Sequence, residues 1–95
     1  MQNEEIEISI KKVHKIIIGL GDPNRIKILY YLMHQKRNVT EVKDYINRSH
    51  TATSHHLSTL KKSNLVSSEK LGKYVYYSLK NESVKKMLML LFDSQ

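Results

Sequence analysis

A segment near the middle of the chain places hydrogen-bonding side chains opposite an apolar stripe. Within residues 49–63, Thr53, Leu57 and Leu60 recur at the i, i+4 and i+7 spacing of a helix. Successive helical residues are about 100° apart, so one opposite sector holds Thr51, Ser54, His55, Ser58 and Lys62. That sector contains no carboxylate. Its side chains can exchange hydrogen bonds with base edges and can bind phosphates, so we interpret the segment as a candidate nucleic-acid-reading helix.

The charge of the chain is positive and unevenly distributed. Sixteen Lys and Arg residues oppose nine Asp and Glu residues, a net charge of +7. Three of the acidic residues lie in the first ten positions, which contain no basic residue. Between Lys43 and Lys73, six basic residues oppose Asp44 and Glu69, a local net charge of +4. This distribution is typical of a protein that binds a polyanion, although basic residues that only promote solubility are the alternative.

The composition excludes several kinds of site. The chain has no cysteine, so disulfides, thiolate metal sites and thiol redox chemistry are excluded. No nucleophile–base pair, glycine-rich phosphate loop or carboxylate pair occurs at a useful spacing, and we expect no enzyme activity. No segment approaches the roughly 20 apolar residues of a membrane span. We expect a cytoplasmic protein without a membrane partner, folded as one domain over residues 1–95.

Start and stop signals predict the elements that surround the reading helix. Asn3 is expected to cap a first helix that ends at Gly19 or Gly21, and Asp22-Pro23 starts a second that runs to about His34. The stripe expected to be buried in that second helix consists of Ile26, Leu29, Tyr30 and Met33. After a polar break over residues 35–38, a short helix spans Thr40 or Glu41 to Ile46.

The remaining signals predict a hairpin and a last helix. Ser49 caps the reading helix, strands cover residues 65–70 and Tyr74–Leu79, and Asn81 caps a helix that continues through Phe92. The predicted order is α-α-α-α-β-β-α. This is a mainly α (α+β) fold of the winged helix-turn-helix type, in which the short helix supports the reading helix and the hairpin is the wing.

The predicted fold assigns roles to individual side chains. Thr51, Ser54 and His55 are expected nearest the bases of double-stranded DNA. A second set is expected nearer the DNA backbone: Arg48, Ser58, Lys62, Lys70 and Lys73. His50 is a further candidate for binding DNA. His56 lies at the margin of the buried stripe, and we interpret it as a packing residue.

Three segments of the sequence resemble the ArsR/SmtB family of bacterial and archaeal winged-helix repressors: LGDPNRIKILYYL (20–32), TSHHLSTLKKSNLV (53–66) and GKYVYYSL (72–79). The resemblance implies a homodimer joined through the first and last helices. It also implies that two recognition helices bind successive major grooves of an imperfect palindrome. Apolar stripes at both ends of the chain agree with this pairing, namely Ile6, Ile10, Val13 and Ile17 with Val84, Met87, Leu88 and Leu91. The alternative is that both stripes pack only within their own chain.

Metal release is usual in the family, and the sequence departs from it. The cysteine site falls on residues 38–40, which contain no thiol, and the last-helix site falls on Asn81, Ser83, Ser94 and a point past Gln95. We therefore expect no metal site and no cofactor. An organic inducer, a partner protein, a pH response through histidine and control by the abundance of the protein alone all remain open as the mode of regulation.

These patterns predict a sequence-specific DNA-binding transcriptional regulator, a homodimeric repressor that binds a palindromic operator in the major groove. The alternative is a winged-helix module for protein–protein interaction, with weak or non-specific binding to DNA. Mutation of the reading helix distinguishes the two hypotheses, since only the first requires its polar face.

Overall fold

The computed structural model describes residues 2–93, which form five helices and a three-stranded antiparallel sheet. The elements in chain order are α1 (Asn3–Leu20), α2 (Pro23–Leu32), β1 (Arg37–Asn38), α3 (Val39–Ile46), α4 (His50–Lys62), β2 (Val66–Leu71), β3 (Tyr74–Leu79) and α5 (Glu82–Asp93). The mainly α architecture with a β2–β3 wing confirms the predicted fold class. The predicted order lacks one element, the two-residue strand β1.

Three helices begin at the caps that the sequence predicts. The Asp22 carboxylate accepts a hydrogen bond from the Asn24 backbone N–H at 2.7 Å, and Pro23 occupies the first position of α2. The Ser49 hydroxyl accepts from the backbone of α4 at 3.1 Å, and the Asn81 side chain accepts from that of α5 at 3.0 Å. Such caps satisfy backbone donors that have no partner within the helix. The second helix ends at Leu32, shortly before the predicted His34.

The predicted starts of α1 and α3 are wrong by one residue or more. Gln2 rather than Asn3 is the N-cap of α1. Asn38 caps α3 in a reciprocal capping box: its side chain accepts from the Glu41 N–H at 2.9 Å, and the Glu41 carboxylate accepts from the Asn38 N–H at 3.0 Å. Because this box fixes the chain ahead of Thr40, α3 begins earlier than predicted.

Strand β1 lies where the sequence predicts only a polar break. Arg37 and Asn38 pair with Tyr77 and Tyr76 of β3, so β3 is the central strand of the sheet. Two adjacent polar residues show no alternation of apolar and polar side chains, so the sequence does not predict a strand here. Backbone pairing with β3 is what makes them a strand. The β1 pairing joins the wing to the start of α3.

The core lies between α2, α3, α4 and α5, and the first residues of β2 close it. Its buried apolar side chains are Ile28, Leu29, Leu32, Val42, Ile46, Leu57, Leu60, Leu65, Val66, Val84 and Leu88. The predicted α2 stripe is correct for Leu29 only. Ile26 and Met33 are half-buried at the edge of the core, and Tyr30 packs against Phe92. The buried face of α2 is rotated because the helix packs on α1, α3, α4 and β3 together.

Replacing Asn38 by Ala should lower the free energy of unfolding by about 1 kcal/mol, because the N-cap of α3 and its capping box are lost. The same change at Asn3 should alter it by less than about 0.5 kcal/mol, because Asn3 lies inside α1 rather than at its cap. Urea denaturation of the two variants measures both values. Equal losses would contradict the assignment of the two caps.

Candidate nucleic-acid interface

A tight turn joins α3 to α4 and sets their relative direction. Asn47 ends α3 in the left-handed conformation, with φ of 54°, and the Arg48 N–H donates to the Lys43 carbonyl at 3.3 Å. Ser49 then caps α4, so only residues 47–49 separate the two helices. Asn tolerates positive φ better than most residues, which suits it to this turn. The unit has the form of a helix-turn-helix, with α3 as support and α4 as the second helix.

One face of α4 is fixed on the body of the protein. The side chains of Thr53, Leu57 and Leu60 are 0% exposed. The buried Thr53 hydroxyl donates to the Ser49 carbonyl at 2.8 Å, so its polar atom has a partner. This burial confirms the predicted stripe and leaves the opposite face directed to solvent.

The structure places the predicted α4 site residues together on that outer face. Thr51 and His55 are exposed and Ser54 is half-buried, while His50, Ser58 and Lys62 are exposed around them. Arg48 is exposed in the adjoining turn, where its guanidinium donates to the Asn47 carbonyl at 3.2 Å. Lys61 donates to the Ser68 hydroxyl at 2.7 Å and thus joins α4 to the wing strand β2.

The wing carries the two other predicted lysines. Gly72 has φ of +65° in the two-residue turn between Leu71 and Tyr74, a geometry that glycine adopts without strain. Lys70 and Lys73, one on each side of Gly72 along the chain, are exposed. The Lys73 ammonium lies 5.4 Å from the centre of the Tyr74 ring.

The two carboxylates between Lys43 and Lys73, those of Asp44 and Glu69, lie beside lysines. Glu69 on β2 is 3.3 Å from the Lys36 ammonium, and Asp44 on α3 is 3.5 Å from that of Lys43. These pairs are exposed and individually weak. They nevertheless place a cation next to each carboxylate, so neither acidic group stands alone near the basic surface.

His56 is the one histidine of α4 that points inward. Its Nδ1 lies 3.2 Å from an Arg25 guanidinium nitrogen, which donates to it. Partial burial lowers the pKa of His56, and the nearby Asp22 carboxylate opposes this shift. The pKa of Asp22 is itself lowered, chiefly by the hydrogen bond from the Asn24 N–H. The neutral imidazole is therefore favoured at this position.

Sequence reasoning missed Arg25. Its guanidinium also donates to the carbonyls of Gly19, at 2.9 Å, and Ile18, at 3.0 Å. A cation in the first turn of a helix is unfavourable to the helix dipole, and this is the only signal in the sequence that Arg25 serves a specific contact. The contact with His56 joins residues 31 positions apart, so spacing within one element cannot predict it.

The predicted apolar stripes of the terminal helices differ in burial. Ile6, Ile10, Val13 and Ile17 are exposed along α1, between 39% and 60%, and border a shallow groove. On α5, Val84 and Leu88 are each 2% exposed within the core of their own chain, where they leave almost no surface for a partner. Met87 is half-buried and Leu91 is 56% exposed.

The positions that correspond to metal ligands in the resemblance serve other purposes here. Asn38 and Asn81 are helix caps, Thr40 and Ser83 are exposed, and Ser94 lies outside the described residues. Within residues 2–93, no three His, Asp or Glu side chains are grouped so that they could hold a metal ion. None of the helices described is long and apolar enough to cross a membrane.

Comparison with known proteins agrees with this architecture. Residues 22–68 match the model of the family described as "Bacterial regulatory protein, arsR family". The cadmium resistance transcriptional regulatory protein CadC of Listeria innocua is 42% identical over 72 residues, which cover 75% of this chain and 60% of CadC. The transcriptional repressor SdpR of Bacillus subtilis is 31% identical over 67 residues, which cover 70% of this chain and 74% of SdpR.

A solved structure extends the similarity to nearly the whole fold. Reduced HlyU from Vibrio cholerae N16961 superposes with a TM-score of 0.84 at 30% sequence identity, over 93% of each chain. HlyU of V. cholerae is named a transcriptional activator, so CadC, SdpR and HlyU all carry names of transcriptional regulators. From its helix-turn-helix, its wing and these similarities, the chain belongs to the ArsR family of winged helix-turn-helix regulatory proteins.

Proposed function

We propose that the chain is a sequence-specific DNA-binding transcriptional regulator that represses transcription as a homodimer on a palindromic operator. The geometry of α4 supports this proposal best. One face of that helix is fully buried, and the other presents hydroxyls, imidazoles and lysines without a carboxylate. An α-helix fits the major groove of B-DNA, where such groups can reach base edges.

Each part of the surface has a role in the proposed complex. Thr51, Ser54 and His55 on α4 exchange hydrogen bonds with bases. The groups around them contact phosphates: Arg48, His50, Ser58 and Lys62. Lys70 and Lys73 on the wing contact the backbone on the flank of the site. Phosphate contacts position the protein and base contacts supply specificity, so the two sets have different consequences when mutated.

A second copy of the chain is the proposed partner of α1. Four branched apolar side chains on one stripe of α1 are about half exposed, so burying what remains of each would contribute about 1 kcal/mol, roughly half the value for a fully exposed side chain. Two-fold symmetry brings the same stripe of both copies together. Of the α5 residues predicted for this interface, Leu91 is exposed and Met87 half-buried, and Met89 and Leu90 are exposed beside them along the helix. Two α4 helices related in this way can read half-sites about 34 Å apart, one turn of DNA.

Repression follows from occupancy of the operator and requires no further chemistry. The relatives differ in the sign of regulation, since SdpR is named a repressor and HlyU an activator, so the proposal of repression rests on occupancy alone. We propose that regulation proceeds without the cysteine site or last-helix metal site of the family. Two of the corresponding positions are the capping residues Asn38 and Asn81, whose amides are poor ligands for zinc.

Selection of bound duplexes from a random pool tests the proposal directly. With chelator in one arm and zinc in the other, the same palindrome should be enriched in both. Enrichment that differs between the arms would show a metal site that the proposal lacks. No enrichment in either arm would overturn sequence-specific binding and favour the interaction module.

Replacing Ser54 and His55 together by Ala should weaken binding to the selected duplex at least about 30-fold, because good base contacts contribute about 1–3 kcal/mol each. A matched control replaces the exposed Ser83 and His34, which lie outside α4, by Ala. The control should bind like the original chain. Fluorescence anisotropy measures both affinities, and an unchanged affinity of the Ser54/His55 variant would refute the base-contact assignment.

Replacing Lys70 by Gln should weaken binding to all duplexes alike. It should also reduce the slope of log K against log salt by about 1, since one phosphate contact and its counterion release are lost. Lys12→Gln removes the same charge from α1, outside the proposed DNA interface and off the apolar stripe of that helix, and should leave the slope unchanged. A loss confined to the selected sequence would instead show that Lys70 reads bases.

Replacing Ile10 by Glu should yield a folded monomer, because Ile10 is 60% exposed in the single chain and the charge would be buried only between two copies. Lys11→Glu places a carboxylate on the adjacent residue, away from the stripe, and should leave the dimer intact. Sedimentation equilibrium measures the mass in solution. A dimeric Ile10 variant would place the interface elsewhere.

A further inference from the structure

Arg25 joins three helices through one guanidinium group. It lies in the first turn of α2, donates to the Ile18 and Gly19 carbonyls at the end of α1, and donates to His56 Nδ1 on α4. The three distances lie between 2.9 and 3.2 Å. A guanidinium has five donors in a rigid plane, so its contacts fix directions as well as distances.

The end of α1 provides a close contact with the same region. The last carbonyls of a helix lack partners within it, and Arg25 supplies donors for two of them. Gly19 is buried, and a Cβ at this position would overlap the Leu65 side chain and lie 3.3 Å from Ser63 Cβ, both just beyond α4. The backbone of α1 therefore packs directly on the C-terminal side of α4, while Arg25 holds α4 through His56.

His56 can take part only as a neutral imidazole. Its Nδ1 must present a lone pair to the Arg25 N–H, and protonation would replace that lone pair with a second cation. The charged or titratable groups that face the ring are Asp22, which caps α2, Arg25 from α2, His55 from α4 and Arg48 from the turn before α4. Burial lowers the pKa of His56, in the direction that keeps the acceptor available.

We propose that Arg25 and His56, here called the Arg25 latch, are positioning residues that set the orientation of α4 relative to α1. The inference rests on the proposed function, in which the outer stripe of α1 joins two copies and α4 reads DNA. In that arrangement the angle between α1 and α4 fixes the separation of the two reading helices. The latch thereby selects which half-site spacing the dimer binds.

Small changes of this angle have large effects at the DNA. The 13 residues of α4 extend over about 20 Å, so a rotation of about 10° about one end displaces the other by about 3 Å. Hydrogen bonds to bases tolerate only a few tenths of an ångström. A protein without the latch would remain folded, because its core side chains are unchanged. It would no longer prefer one half-site spacing over the others.

Two replacements of His56 test the latch. His56→Leu fills a similar volume without an acceptor, whereas His56→Asn places its amide oxygen near the position of Nδ1. The probes are the duplex selected by the original chain and two versions with the half-sites moved apart or together by one base pair. His56→Leu should bind the selected duplex at least about 10-fold more weakly and lose the preference among the three, while His56→Asn should stay within about 3-fold of the original.

Arg25→Lys provides a second route to the same measurement. A lysine keeps the charge, but it cannot reproduce the planar fork that meets three acceptors. It should weaken the spacing preference as His56→Leu does, and adding His56→Leu to Arg25→Lys should change little further, because the Arg25–His56 contact is lost in both single variants. Circular dichroism and sedimentation establish that each variant is folded and dimeric before binding is measured.

The pH dependence of the spacing preference tests the latch, because a residue that only packs would not change it. The folded pKa of His56 lies below its ordinary value, so the latch is complete above about pH 6.5 and is lost as the pH falls through the lower folded value. The spacing preference of the original chain should weaken over that range. His56→Asn does not titrate and should keep its preference.

The outcomes separate the latch from the proposed function. If the original chain selects no duplex, the proposed function fails, and the latch fails with it. If the original chain binds and a folded, dimeric His56→Leu variant keeps both its affinity and its spacing preference, only the latch is overturned. An equal loss of affinity on all three duplexes by the folded variants would also overturn it, because it would indicate a general effect on α4.

Discussion

The end of α1, the start of α2 and the middle of α4 meet at one place in the fold. The support of α4, the second helix of the helix-turn-helix, depends on the contacts made there. The last carbonyls of a helix lack partners within it, and Arg25 donates to the part-buried Gly19 carbonyl and to the Ile18 carbonyl, which also accepts from the Gly21 N–H. The absence of a side chain at Gly19 lets α1 approach Ser63 and Leu65 directly. A cation in the first turn of α2 is unfavourable by itself, and these contacts offset that cost.

Burial of one face of α4 gives its other face a defined direction. Thr53, Leu57 and Leu60 are packed without exposure, and the buried hydroxyl has its partner in the cap residue Ser49. A helix held this firmly loses little further conformational freedom when its outer side chains bind, which favours specific recognition. The hydrogen bond from Lys61 to Ser68 links the same helix to the wing. Helix α4 and the wing therefore carry their basic groups on directly connected elements.

The elements that sequence patterns predicted best are those whose signals are local. Caps at Asp22, Ser49 and Asn81 lie where the sequence places them, because each side chain bonds to a backbone group two or three residues away. The buried stripe of α2 was predicted poorly because several elements surround this helix, and a single apolar face is a poor description of it. Strand β1 was missed because only pairing with β3 makes two polar residues a strand.

The sequence by itself determined the order of the helices and the β2–β3 wing, the polar face of α4 and the positive charge around it, since helical spacing and composition are properties of the chain alone. Tertiary structure decided which apolar residues are available to a partner: Val84 and Leu88 lie in the core, whereas Ile10 and Ile17 stay exposed. It also decided that His56 faces Arg25 rather than solvent. The physical reason is the same in both cases, because burial and long-range hydrogen bonds depend on which elements pack together, and residues distant in sequence carry no periodic signal of that packing.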